Sequence, residues 1–87
     1  MSRELKVLYF AWLRERLNRG EDTFEPPPSV ETVADLIDWI CGQDEAAELA
    51  MANRKIIRAA VDQVIVAPDH PIAGAKTVAL FPPMTGG

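Results

Sequence analysis

The spacing of apolar positions along the chain predicts alternating strands and helices. Runs in which every second residue is apolar are typical of strands, whereas apolar residues three or four positions apart are typical of helices. The predicted order is strand, short helix, short strand, long helix, short helix and three further strands, of which the first two form a hairpin or one bulged strand. The expected ranges are 4–10, 11–18, 22–25, a helix from between Ser29 and Thr32 to Gly42, 44–52, 56–61, 64–66 and 77–81.

The long helix has the clearest apolar face, while Asp35 and Asp38 lie on its far side. Glycine fits the left-handed conformation past a helix end, so Gly42 is expected to end this helix and Gly20 the first one. Cys41 is expected to be a small core residue, since no basic neighbour in the sequence would activate its thiol. The residues assigned to the apolar face are Val30, Val33, Ala34, Ile37, Ile40 and Cys41.

This order of elements predicts an α+β fold in which one main helix covers one face of a mixed sheet. Alternation along the strands assigns the side chains that face the helix, namely Leu5, Val7, Tyr9, Val64, Val66, Val78 and Leu80. Three large apolar residues, Phe10, Ile65 and Phe81, are then left on the open face. Because such a patch usually marks an interface, the sequence predicts that a partner protein binds there.

Composition excludes several classes of function. The chain has 87 residues, which is the size of one domain, and its net charge of −4 disfavours binding to nucleic acid or to an anionic membrane. One cysteine excludes an internal disulfide and a cysteine-built zinc site, so no metal is expected. With a single histidine, His70, a catalytic set within the chain is not expected. Neither a signal peptide nor a bilayer-spanning run is visible, and the expected compartment is the cytoplasm.

The last residues carry the clearest chemistry. The final strand leads into Pro82 and Pro83, which stiffen the start of an extension that ends in Gly86 and Gly87. We therefore expect a domain at 1–81 and an extended tail at 82–87 that reaches roughly 20 Å. Because glycines have no side chains, a narrow channel can admit them, and the terminal carboxylate is unhindered. Another enzyme could activate that carboxylate with ATP as an acyl-adenylate, which sulfide, a persulfide, a thiol or an amine could then displace.

Several stretches resemble the small, sulfur-carrying subunit of molybdopterin synthase. They are 6–11 with 13–15, 59–63, 69–71 and, most specifically, 79–87 with its ending Phe-Pro-Pro-Met-Thr-Gly-Gly. The resemblance implies a ubiquitin-like β-grasp fold. It also implies that an activating enzyme uses ATP to adenylate Gly87, which then becomes a thiocarboxylate and donates sulfur to a cyclic pyranopterin precursor. That transfer builds the dithiolene of molybdopterin.

The resemblance also implies partners. The chain is expected to be a non-catalytic, sulfur-carrying subunit that binds no cofactor itself, with the active site in a large subunit. Two small and two large subunits are expected to form a heterotetramer. The open face, with Phe10, Ile65 and Phe81, is implied as the surface that meets both the large subunit and the activating enzyme. The tail residues Pro82, Pro83, Met84 and Thr85 are assigned to the same contact, and Gly86 and Gly87 to the reaction itself.

The sequence leaves alternatives open. A sulfur carrier for another pathway, such as thiamine synthesis, would have the same kind of tail, and so would a protein modifier that is joined to lysine. An interaction domain with an inert tail is a third class. The chain also departs from the family's usual pattern at Asp62, where asparagine is expected, at Ala75 and Lys76, which replace an acidic pair, and at Leu80, which replaces an aromatic residue.

Overall fold

The structure is a computed structural model that describes residues 4–83. Strands and helices alternate along the chain before three strands complete the sheet. The elements are β1 Leu5–Tyr9, α1 Ala11–Leu17, β2 Glu21–Phe24, α2 Val33–Gln43, α3 Glu45–Ala50, a 3₁₀ helix Arg54–Ile56, β3 Arg58–Val61, β4 Val64–Val66 and β5 Thr77–Phe81. This order agrees with the sequence prediction, apart from the 3₁₀ helix. That helix ends at Ile56, the first residue of the strand predicted at 56–61, and β3 begins at Arg58.

One sheet with the strand order β2-β1-β5-β3-β4 contains all five described strands. The first and last strands, β1 and β5, lie side by side and are parallel, whereas the other pairs are antiparallel. Parallel neighbours end at the same edge of a sheet. The end of β5, where the tail begins, therefore lies beside the end of β1.

Helix α2 covers the inner face of the sheet and starts at a capping box. The side chain of Thr32 accepts a hydrogen bond from the Asp35 amide at 3.1 Å, and the Asp35 carboxylate accepts one from the Thr32 amide at 3.2 Å. The helix buries Val33, Leu36, Ile37, Ile40 and Cys41. Together with the inward side chains of β1 and β5, these residues form the core.

Two assignments to the face of this helix were wrong. Ala34 is exposed, and Val30 is buried but lies before the helix, where its amide donates to the Pro27 carbonyl at 2.9 Å. Leu36, which the sequence analysis omitted, is fully buried. The buried stripe is centred on Leu36, Ile37 and Ile40, which places Ala34 beyond its edge.

The helix ends also differ from the prediction. Helix α1 ends at Asn18, whose φ of 57° is left-handed, rather than at Gly20, because asparagine tolerates this conformation. Helix α2 continues through Gly42 and stops at Asp44, which is extended and caps α3. Its carboxylate accepts hydrogen bonds from the amides of Ala46 at 2.9 Å and Ala47 at 3.3 Å. A side-chain cap of the next helix thus ends α2.

The hairpin between β3 and β4 is the first of the two alternatives that the sequence allowed. Its two turn residues, Asp62 and Gln63, have φ values of 47° and 74°, as a tight two-residue turn requires. Val64 lies on the inner face as predicted, because it pairs with Val61, which pairs with the buried Val78, but Val64 is 63% exposed. It lies on the edge strand, whereas Val66 packs against the core.

A polar network joins α3 to the sheet. The Tyr9 hydroxyl donates to Asp22 Oδ2 at 2.9 Å, and Arg19 Nε donates to the same oxygen at 2.6 Å. The other end of the Arg19 guanidinium pairs with Asp44. Burial, followed by the hydrogen bond to Asp22, raises the pKa of Tyr9 above its usual range, so this hydroxyl stays a donor.

Among residues 4–83, no helix is long and apolar enough to cross a membrane.

The network predicts the effect of replacing Asp44. Asp44→Ala removes both the cap of α3 and the partner of Arg19, and we expect it to lower the free energy of unfolding by about 1–2 kcal/mol. The hydrogen bond from Arg19 lowers the pKa of Asp44, so the ion pair stabilises the fold above pH ~4 and is lost as the pH falls below it. Urea unfolding should therefore show that Asp44→Asn, which keeps a cap, costs stability at neutral pH but little in acid. An equal cost at both pH values would contradict the prediction.

Candidate functional site

An apolar strip crosses the open face of the sheet. Its members lie opposite one another in register: Leu8 opposite Ala79, Ala79 opposite Ala60, and Ala60 opposite Ile65. Residues directly opposite in neighbouring strands share one face, so this apolar strip (Leu8, Ala79, Ala60 and Ile65) runs across β1, β5, β3 and β4. Ile65 is 72% exposed at its outer end. The small residues in the middle leave the surface flat.

Two of the predicted partner-binding residues lie together at one end of this face. Phe10 follows β1, is 46% exposed, and its amide donates to the Leu80 carbonyl of β5 at 3.2 Å. Phe81 ends β5 and is half-buried. The third, Ile65, lies on the edge strand, and the apolar strip connects it to the other two. We refer to the apolar strip with Phe10 and Phe81 as the docking face.

The tail starts from this end of the docking face. Pro82 is buried and Pro83 is half-buried, so the described part of the tail lies against the domain. The other predicted site residues, Met84, Thr85, Gly86 and Gly87, lie outside the described residues. Their assignment rests on the sequence.

Sequence analysis missed three residues of the open face. Leu8 was not assigned to the partner contact, although alternation along β1 places it on the side opposite to Val7 and Tyr9. Ala60 and Ala79 complete the strip only because the strand register places them between Leu8 and Ile65. No pattern within either strand reveals that register.

Arg58 is a further residue that only the register places at the site. It lies opposite Phe81, at the end of the docking face from which the tail leaves. Its Nη1 donates to the Lys55 carbonyl at 2.9 Å. Among the described residues, no carboxylate lies within 4 Å of the Arg58 guanidinium. The arginine therefore brings a positive charge beside Phe81.

The departures from the family pattern do not alter the docking face. Asp62 Oδ1 accepts hydrogen bonds from the amides of Lys76 at 2.9 Å and Thr77 at 3.0 Å, and these bonds lower the pKa of Asp62. The amide oxygen of an asparagine can accept the same bonds. Both contacts lie at the start of β5, opposite to its exit. Leu80 is fully buried on the inner face, so it does not alter the docking face.

Cys41 and His70 lie outside the docking face. Cys41 is buried, its thiol is 3.6 Å from the Ala47 carbonyl, and burial raises its pKa to about 11, as expected for a core residue rather than a nucleophile. His70 is exposed in a loop. It directly precedes Pro71, which forms an isolated β-bridge with Thr32, the N-cap of α2. The backbone carbonyl of His70 accepts from Val33 at 3.0 Å.

Comparisons with known proteins show which family the chain belongs to. A family model described as the ThiS family matches residues 7–87. The chain is similar to the molybdopterin synthase sulfur carrier subunit of Escherichia coli (strain K12), with 40% identity over 95% of this chain and 99% of that protein.

Solved structures share the fold. One, from Pyrococcus furiosus, is described as a candidate molybdopterin converting factor, subunit 1. It is 26% identical, with a TM-score of 0.69, over 93% of this chain and 98% of that one. The small archaeal modifier protein 1 of Haloferax volcanii is 22% identical, with a TM-score of 0.68, over 93% and 98% of the two chains. These likenesses confirm the ubiquitin-like β-grasp fold. With the family model covering residues 7–87 and the 40% identity, they show that the chain belongs to the ThiS family.

Proposed function

We propose that this chain carries sulfur as a thiocarboxylate on Gly87 and delivers it as the small subunit of a molybdopterin synthase. The similarity to the sulfur carrier subunit of E. coli, at 40% identity over nearly both full lengths, supports this function. The observation that carries the proposal is the position of the docking face beside the exit of β5, because a partner bound there receives the tail.

Loading requires an activating enzyme that uses ATP. The terminal carboxylate oxygen attacks the α-phosphorus of ATP and pyrophosphate leaves, which produces the acyl-adenylate. Sulfide, or a persulfide with a reductant to release it, then attacks the carbonyl carbon and AMP leaves. The product is a thiocarboxylate. Gly86 and Gly87 carry no side chain, so the enzyme can approach the reacting carbon closely.

Unloading takes place in the large subunit. The thiocarboxylate sulfur attacks an electrophilic carbon of the cyclic pyranopterin precursor, where the new carbon–sulfur bond replaces a carbon–oxygen bond and the oxygen substituent leaves. Water then cleaves the bond between sulfur and the acyl carbon, which leaves the sulfur on the pterin and restores the carboxylate of Gly87. A dithiolene contains two sulfur atoms, so two loaded chains are consumed for each product. A heterotetramer of two small and two large subunits fits this requirement. The activating enzyme and the large subunit both need the docking face, so they bind in turn.

Mass spectrometry followed by reconstitution tests the proposal. Full-length chain made together with its activating enzyme should gain the mass difference between sulfur and oxygen at its terminus. Mixed with the large subunit and the pterin precursor, it should yield the dithiolene and lose that mass. Lysine-linked adducts of the chain on other proteins, without sulfur transfer, would instead identify a protein modifier. A loaded chain that supplies thiamine synthesis but not this reaction would identify the other pathway.

A further inference from the structure

A groove opens on the inner side of the sheet, where α2 leaves part of β3 and β4 uncovered. Its volume is about 350 Å³, and it lies between the side chains of α2 and those of the two strands. Apolar side chains make up most of its wall. They are Val33, Ile37, Ile57, Ala59, Val66 and Pro68.

Three cations line one side of this groove. Arg54, Lys55 and Arg58 lie within five consecutive positions, although the chain has only nine basic residues and a net charge of −4. Arg54 is paired with Asp38 at 2.9 Å and Glu48 at 3.1 Å. Within residues 4–83, Lys55 and Arg58 have no carboxylate at ion-pair distance. Their two charges are therefore available to an acidic group from outside.

Arg58 belongs to both surfaces. It lines the groove, and in the register of β3 and β5 it lies opposite Phe81 of the docking face. The hydrogen bond from its Nη1 to the Lys55 carbonyl restrains the guanidinium, which leaves its other N–H groups for a carboxylate. The groove and the docking face therefore meet at Arg58, the first residue of β3.

We propose that the groove binds an acidic segment of the large subunit, with carboxylates on Lys55 and Arg58 and an apolar side chain between α2 and β3. This inference rests on the proposed function, because the large subunit is the partner that covers Phe81 and the tail. Charge complementarity and the continuity of the two surfaces at Arg58 support that occupant. The contact adds a second point of attachment that does not involve the tail.

Calorimetric titration of the full-length chain with the large subunit tests the inference. Lys55→Glu should weaken binding by about tenfold or more, with a larger effect at low salt, since it places like charges together in the groove and leaves the docking face unaltered. Lys76→Glu, the matched control at an exposed cation outside the groove, should change affinity by about twofold or less. Ala34→Trp should fill the groove from an exposed position and weaken binding, whereas Ala46→Trp on α3 should not.

The outcomes distinguish failure of the groove as a binding site from failure of the proposed function. Thermal unfolding of each variant shows that the fold is retained. If Lys55→Glu matches Lys76→Glu and Ala34→Trp matches Ala46→Trp, the groove is not a binding site, while sulfur delivery by the unaltered chain still supports the proposed function. If the unaltered chain delivers no sulfur to the pterin precursor, the proposed function fails. A weakening confined to Lys55→Glu and Ala34→Trp supports the groove.

Discussion

A variant with one tryptophan added after Gly87 is expected to deliver no measurable sulfur. The added residue moves the carboxyl group onto a bulky carbon and displaces the original reacting carbon from the end of the chain. Misplacement by even about 1 Å can cost roughly 100-fold in rate, so we expect a loss of at least that size. Single-turnover assays with the activating enzyme and the large subunit measure it.

The control adds the same tryptophan before Met1, far along the sequence from the tail. That variant should load and deliver sulfur at the normal rate. Mass spectrometry must show that the C-terminal tryptophan has not been removed. Sulfur delivery at the normal rate by an untrimmed C-terminal variant would refute the carrier role of Gly87.

Phe81→Ala is expected to weaken binding of the large subunit much more than it destabilises the fold. Phe81 is half-buried where the docking face meets the start of the tail, and removing an aromatic residue that anchors an interface commonly costs 2 kcal/mol or more, which is about 30-fold in Kd. Because the ring already meets solvent, the free energy of unfolding should fall by only about 1 kcal/mol. Calorimetric titration measures the Kd, and urea unfolding measures the free energy of unfolding.

Phe24→Ala is the matched control. Phe24 packs edge-on against Trp39 of α2, with ring centroids 5.5 Å apart, on the inner side of the sheet. Its loss should reduce stability and leave affinity nearly unchanged. The opposite pattern for Phe81→Ala, with normal affinity and a large fall in melting temperature, would place Phe81 in the core instead of the contact.

Local patterns were sufficient to predict most of the fold. Alternation along β1 and β5 assigns Val7 and Val78 to the core, and the predicted start of the long helix, between Ser29 and Thr32, includes its observed cap Thr32. The ends of helices were predicted less well. Asn18 and Asp44 took the roles given to Gly20 and Gly42, because side-chain capping competes with the conformational freedom of glycine.

The candidate site could be predicted only in part. The large residues Phe10 and Ile65 follow from alternation, and their exposure agrees with it. The small residues Ala60 and Ala79, and the charge of Arg58 beside Phe81, depend on pairing between strands that are far apart in sequence. Such register is set by the packing of the whole sheet, so a pattern within one strand does not contain it.

The parallel pairing of β1 with β5 has a consequence for how the molecule is made. Since the last strand occupies the middle of the sheet, a nascent chain cannot complete its architecture until translation has reached the end. Under the proposed function, the docking face and the terminus that carries sulfur are therefore completed together. A product truncated before β5 has neither, so under the same proposal unfinished copies do not occupy the activating enzyme or the large subunit.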